Sequence, residues 1–293
     1  MGFGDWQAIQ STLVAVSPPT GIFYNARRLR TYFTDLWNRR EFAWFLAMGN
    51  LKARNASTAL GLFWWVLNPL LLGLVYFLVF GIFFGGSRPE GYIAYLLAGM
   101  FVFHFTHQSM TGGANAILQN AKLLANLKFP RLVLLISSLI ESSVGFLASL
   151  LVFYAIAWPT VGVHPSRYLV LLLAVLPIHV LFNLGLSAVV ARLAVPFRDI
   201  NNFIPYLNRL WLYMSPIIWP LSFLENAGPT LRRLVELNPM FPLIELYRSA
   251  LIGAPDYPFD LGDLLISLAW AVSVFVLGVA GFIRYETRMV RYL

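Results

Sequence analysis

The stretch LGLFWWVLNPLLLGLVYFLVFGIFF, Leu60 to Phe84, decides the class of fold. It carries no charge, and the uncharged run around it extends from Asn55 to Ser87. An α-helix needs ~20 apolar residues to cross ~30 Å of hydrocarbon, so this run spans a bilayer with residues to spare at each interface. The rest of the chain has the same character: 293 residues, 59% hydrophobic, 16% aromatic and only 12% charged, with a mean hydropathy of +0.70. Such values lie far outside the range of a water-soluble domain. More than fifty mixed or polar residues precede the run, without a short apolar core and cleavage site, so it does not read as a signal peptide. With no cysteine, disulfides and thiolate metal sites are excluded.

The same criterion predicts further spans at Tyr92–Leu118, Leu132–Trp158, Tyr168–Ala191, Asn201–Pro220 and Leu264–Ile283, six in all. Orientation follows from the connections, because loops rich in Lys and Arg stay on the cytoplasmic side. With both termini inside, the inner connections hold fifteen basic residues and the outer ones five, Arg209 lying within a span. The longest outer loop, Leu221 to Asp263, is the acidic part of the chain. The net charge of +8 needs no nucleic acid, since juxtamembrane basic residues gain ~1 kcal/mol each from anionic lipid headgroups. Residues 31–54 place Phe33, Trp37, Trp44, Met48 and Leu51 near one helical face. That pattern fits an amphipathic helix in the inner interface, or one packed on the protein's own underside. The expected organisation is thus a lead over 1–30, an interface helix over 31–59 and one membrane domain over 60–293.

No G-x-x-x-x-G-K-[ST] loop is present, so ATP hydrolysis by a P-loop in this chain is not expected. His104 and His107 share a face, but no carboxylate or Cys completes a metal site with them. Two intramembrane charges stand out. Glu141 lies nine positions into the third span and Arg209 nine into the fifth, at the same depth of ~13 Å, so they are expected to pair or Arg209 to face an anionic substrate group. Tyr76, Phe80 and Phe83 form a stripe in the first span, as do Phe203, Tyr206 and Tyr213 in the fifth. Such stripes serve packing, or else line a wet tunnel in which flat amphipathic rings stack on sugars.

Several segments are recognisable together. Leu51-Lys52-Ala53-Arg54, Leu60-Gly61, Trp64 and Leu67-Asn68-Pro69-Leu70 resemble the start of the permease subunit of ABC-2 type polysaccharide exporters. Asn126-Leu127-Lys128-Phe129-Pro130-Arg131 is similar to that family's segment between spans two and three, and Phe197-Arg198-Asp199-Ile200 to its approach to span five. Ser215-Pro216-Ile217-Ile218 with Trp219-Pro220 resembles its span-five exit, and Leu237-Asn238-Pro239 with Tyr247-Arg248 its outer loop. Asn55 and Ala56 depart from the aromatic and basic residues common there, and Thr58 from the usual serine. The long lead and dense aromatics most resemble the actinobacterial galactan exporter permease.

The resemblance implies an all-α homodimer of six-span subunits and two copies of a separate ATP-binding subunit, which would hold ATP and Mg. The cargo it implies is a lipid-linked polysaccharide of the O-antigen or galactan kind. Spans one and five would border the channel, and short helices between spans five and six, with Asn238, Pro239, Tyr247 and Arg248, would close its outer end. Contact with the ATPase would fall on Gln119, Lys122, Asn126, Lys128, Phe129, Pro130 and Arg131 and on the interface helix. Trp64 and Trp65 then belong to the inner aromatic belt, and Asn68 with Pro69 kinks the helix one turn deeper, at the entrance for a polyprenyl pyrophosphate. Other readings are an ABC-2 exporter of a teichoic-acid-type polymer or small drug, or a membrane-embedded glycosyl- or acyltransferase.

Overall fold

The computed structural model describes residues 22–55, 60–84, 91–127, 129–219, 228–253, 255 and 257–289. Every regular element among them is helical. In chain order these are α1 (Ile22–Asn38), α2 (Arg40–Asn55), α3 (Trp64–Phe84), α4 (Tyr92–Gln119), α5 (Ala121–Asn126), α6 (Leu132–Val161), α7 (Leu172–Ala194), α8 (Ile200–Met214), α9 (Pro229–Glu236), α10 (Met240–Leu251) and α11 (Leu261–Met289). A 3₁₀ turn at Arg167–Leu171 leads directly into α7. The lead over 1–21, the link at 56–59, Lys128 and Pro220 lie outside the described residues.

Three segments, Leu132–Val161, Arg167–Ala194 and Leu261–Glu286, are long and apolar enough to cross a membrane. Their outward side chains are as apolar as their inward ones: Leu151, Leu173 and Leu277 are each more than 70% exposed. In water that would be a liability; against lipid tails it costs nothing. α4 is equally long but differs in composition, with His, Thr, Gln, Asn and glycine through its middle. It can carry them because it is the central post. Residues 94–103 are all buried, and α4 packs against α3, α6, α7, α8 and α10.

The helices approach closely where side chains are small, which is how packing and dispersion associate helices in lipid. Gly113 of α4 lies on Ser187 of α7, whose Oγ donates to the Ser109 carbonyl at 2.8 Å. Gly112 faces Ser138 of α6, and the α7–α11 crossing is built on Gly185 and Gly278. At the heart of the bundle, His179 of α7 has partners on both nitrogens, Thr106 Oγ1 at 2.7 Å and the Tyr247 hydroxyl at 3.2 Å. Phe105 and Phe146 pack against its ring.

Helices stand at all six positions where spans are expected, but three expectations are corrected. α8 has 15 residues, about 22 Å of helix, short of the ~30 Å hydrocarbon core. The stretch Leu221 to Asp263 is not simply an outer loop: α10 folds back into the core, with Met240, Leu243, Ile244, Tyr247 and Leu251 fully buried. The N-terminal amphipathic stretch is two helices, broken at Arg39. Its inward face is Ala43, Ala47 and Leu51, packed on α6, while Phe33, Trp37 and Trp44 point outward. Small residues let α2 lie close to α6, and the aromatics are left for the membrane surface.

Candidate translocation surface

α8 is amphipathic in an unusual sense, with one face packed on the chain and the other aromatic and bare. Ile204, Asn208 and Leu212, four apart, are buried, whereas Phe203, Tyr206, Leu210 and Tyr213 are exposed. Tyr206 is 68% accessible. The helix stops at Met214 because Ser215 is extended, as the residue before a proline tends to be. The first and fifth spans meet beside this face. The Tyr76 and Tyr213 hydroxyls are 3.3 Å apart, and their rings are edge-to-face at 6.3 Å. Arg209 is exposed and within electrostatic reach of Tyr76. Trp64 and Asn68 are also exposed, toward the start of α3. The side chains of Trp65, Pro69, Phe80 and Phe83 lie outside the described set, although all four positions are helical.

The expected Glu141–Arg209 ion pair is not formed. Glu141 Oε1 accepts from Asn50 Nδ2 at 2.8 Å, on the side of α6 that meets α2. The ion pairs among the described residues are Arg232–Glu236 and Arg248–Glu245. Equal depth along two helices does not bring their side chains to the same side of a bundle. Arg209 is therefore a cation on the open aromatic face, which suits the other expected role, facing an anionic group.

The segment after α8 is the least regular backbone at core depth, and a dense set of donors holds it. In an apolar setting a carbonyl outside a helix must find a partner. Tyr92 donates to the Ile218 carbonyl at 2.6 Å, and Tyr95 to those of Pro216 at 3.0 Å and Trp219 at 2.8 Å. Arg248, expected in an outer loop, is wholly buried. Its Nη2 reaches the Pro216 carbonyl at 2.7 Å, its Nη1 the Glu245 carboxylate at 2.5 Å, and its guanidinium lies 3.3 Å from the centre of the Tyr95 ring. Tyr92 and Tyr95 were not legible as functional, since nothing in the sequence beyond their spacing, three apart near the start of a span, sets them out.

Asn238 joins the broken helix to α10. Its Oδ1 accepts from Trp211 Nε1 at 2.8 Å and from the Met240 amide at 3.1 Å, and its Nδ2 donates to Ser215 Oγ at 2.9 Å and the Met214 carbonyl at 3.3 Å. It thus caps one helix C-terminus and one N-terminus together. Asn238→Ala abolishes all four bonds and is expected to destabilise by about 2–3 kcal/mol, since partners stay buried. Thermal unfolding in detergent checks this, with Arg232→Ala at an exposed surface ion pair as a near-neutral control.

At the opposite end of the bundle, Gln119, Lys122 and Asn126 are exposed around α5. Phe129 instead points inward, with Phe42 at 5.5 Å edge-to-face and Arg39 at 5.9 Å from its ring. Pro130 lies four residues past the end of α5 at Asn126. Its carbonyl accepts from the Val133 amide, so it opens α6. The Arg131 amide donates to Glu286 Oε1 at 2.8 Å, and its guanidinium to the Glu286 carbonyl. Tyr32 of α1 accepts from the Leu132 amide at 3.4 Å beside the same carboxylate, and burial, followed by the Glu286 charge, holds its phenol far above the usual range. Glu286 therefore clamps α1, α6 and the end of α11 together.

The description "ABC-2 type transporter" matches residues 42–252. The O-antigen export system permease protein RfbA of Myxococcus xanthus is 31% identical over 256 residues, 87% of this chain and 95% of that protein. Two proteins of the same name from Klebsiella pneumoniae are 24% and 26% identical, over 83% and 72% of this chain and 90% and 80% of theirs. The matched region runs from α2 through α10 and contains the α8 face, the Asn238 joint and the buried Arg248. This chain belongs to the ABC-2 type transporter family, as a multi-pass membrane permease rather than an enzyme.

Proposed function

We propose that the chain is the channel-forming subunit of an ATP-driven exporter of lipid-linked polysaccharide in a bacterial plasma membrane. Two copies face each other across their α3 and α8 surfaces, with six spans each and both termini in the cytoplasm. Two copies of an ATP-binding subunit, carrying ATP and Mg, attach on the cytoplasmic side. They engage the exposed Gln119, Lys122 and Asn126, and the Glu286 clamp passes their movement to α1, α6 and α11. The cargo is an O-antigen-like or galactan glycan on an undecaprenyl or decaprenyl pyrophosphate.

The observation that carries this reading is the bare aromatic face of α8. A second copy that left a gap there would enclose a wall of rings and phenol hydroxyls, compatible with a sliding polymer of hydroxyl groups. Arg209 supplies the cation for a passing pyrophosphate. The names of the relatives, all O-antigen export permeases, support a polysaccharide cargo. The test is to co-purify the chain with its ATPase partner in lipid and measure ATP hydrolysis with and without polyprenyl-linked galactan. Stimulation is expected, and Tyr206→Ala is expected to reduce it at least tenfold while the unstimulated rate stays the same. A complex indifferent to every glycan, or a Tyr206→Ala complex stimulated normally, overturns the role of this face.

A further inference from the structure

Toward the end of the bundle that carries the Glu286 clamp, α7 and α11 present two guanidiniums that no carboxylate answers. Arg192, in the last turn of α7, is exposed. It does not follow its own helix. Its Nη1 lies where a Cβ on Gly281 of α11 would come within 2.7 Å, and its guanidinium stands 5.7 Å over the Tyr285 ring. The missing side chain of Gly281 is the notch in which it rests. Arg284, three residues on from Gly281 and exposed, adds a second cation to the same face of α11. Neither arginine belongs to an ion pair among the described residues. Glu286, the acid nearest Arg284 in the sequence, projects from the other side of the helix, about 200° round, and its carboxylate takes the Arg131 amide.

A cation suits any helix C-terminus, and a snorkelling arginine reaches for water. Neither need lays a guanidinium across a neighbouring helix and holds it on a ring. An anion at that edge does. Four residues before Gly281 on the same face, Leu277 is among the most exposed apolar side chains, and in a membrane its neighbours are acyl chains. Along α11 this edge is therefore an apolar strip that ends in cations, the order in which a phospholipid presents its chain and its phosphate. We propose that this edge of the α7–α11 seam binds one anionic lipid, its phosphate held by Arg192 and Arg284 and one acyl chain lying on Leu277. Arg192 offers a planar fork to the phosphate oxygens. Gly281 and Tyr285 fix its direction beforehand, so less freedom is lost on binding. A zwitterionic headgroup fits worse, because its ammonium would be set against two guanidiniums. The bound lipid ties together the ends of the two most extensively packed helices. The site draws only on the chain's being a membrane protein and needs neither the ATPase nor a cargo.

With no native cysteine, a single thiol reports on one place. Leu277→Cys in the full chain is labelled with bimane and reconstituted in vesicles of equal phosphatidylglycerol and phosphatidylcholine, with bromine on the acyl chains of one lipid or the other. Bromine quenches only a dye close to it, so the two samples compare the lipids at that edge. Phosphatidylglycerol is expected to be enriched about fivefold over phosphatidylcholine. The same dye at Leu147→Cys, exposed on α6, should show no such preference. Arg192→Gln should abolish the enrichment, whereas Arg167→Gln, which removes an exposed arginine stacked on Tyr168 at the other end of the α7 span, should leave it intact. Gly281→Ala keeps every charge but puts a methyl group where the guanidinium rests, so the enrichment should fall while circular dichroism stays unchanged. Equal quenching by the two brominated lipids at Leu277→Cys, a preference as strong at Leu147→Cys, or an enrichment that survives Arg192→Gln overturns the proposal.

Discussion

Replacing Gly278 by valine is expected to separate the two most extensively packed helices and remove the folded protein from the membrane fraction. A Cβ at Gly278 would lie 2.2 Å from the Gly185 carbonyl oxygen and 2.9 Å from its carbon. At Gly185 a Cβ would lie 2.5 Å from the Phe275 Cα and from its amide nitrogen. All of these obstacles are backbone, so no rotamer change relieves them, and α7 and α11 must move apart along their length. Overpacking a fitted core costs about 1–3 kcal/mol, and a clash between two backbones belongs at or beyond the top of that range. The loss is severe because lipid tails are as apolar as the helix faces: once close contact fails, no hydrophobic drive holds the pair together. Unfolding by graded denaturant in mixed micelles, with size-exclusion profiles, measures it. Gly49→Ala, where an added Cβ meets nothing within 4 Å, is the control and should be neutral or slightly stabilising. If Gly278→Val unfolds at the same midpoint as the parent, the glycine crossing is not what joins these spans.

What could be read from the sequence, and what could not, follows from the solvent. Long apolar runs located helices at the six expected spans, since that signal depends on side-chain hydrophobicity alone; the fifth, expected to run to Pro220, stops at Met214, where Ser215 is extended before Pro216. In-or-out assignment failed where hydrophobic residues are at home on either side. The face with Phe33, Trp37, Trp44, Met48 and Leu51 suited either the inner interface or the protein's own underside; Leu51 joins Ala43 and Ala47 in the contact, where small residues permit approach, while the aromatics are exposed. A short helix was expected between spans five and six, but the burial of α10 in the core was hidden for the opposite reason. Glu245 and Arg248 made its sequence look like an aqueous loop, and only their mutual pairing lets that segment enter the core. Depth was computable for Glu141 and Arg209, but azimuth around a helix was not. The aromatic stripe of α8 was legible as a stripe; that its rings face outward while Ile204, Asn208 and Leu212 pack inward is knowledge only the fold supplies.

Arg248→Met should be the most damaging single side-chain truncation at the α8–α10 joint, and a second substitution should partly reverse it. The guanidinium bonds the Glu245 carboxylate, the Pro216 carbonyl at 2.7 Å and, at 3.4 Å, the Tyr95 carbonyl, while stacking on the Tyr95 ring. Methionine matches much of its length but leaves Glu245, whose side chain is only 14% exposed, as an uncompensated charge. Removing one partner of a buried pair costs about 3–5 kcal/mol. Loss of the desolvated cation–π contact adds on the order of 2 kcal/mol. Lysine is not an adequate replacement, because a single ammonium cannot reproduce the planar fork that reaches a carboxylate and two carbonyls at once. In Arg248→Met/Glu245→Gln the stranded charge is gone, so the double variant should unfold at a higher temperature than Arg248→Met alone. The Pro216 carbonyl keeps its Tyr95 donor in both, which is why Tyr95→Phe added to Arg248→Met should then cost more than it does in the parent. Thermal melts of these five proteins, the parent and Tyr95→Phe included, in one detergent make both comparisons. If Arg248→Met alone melts with the parent, the buried arginine is not what keeps the broken helix end docked; if the double variant melts below it, the penalty does not come from the stranded carboxylate.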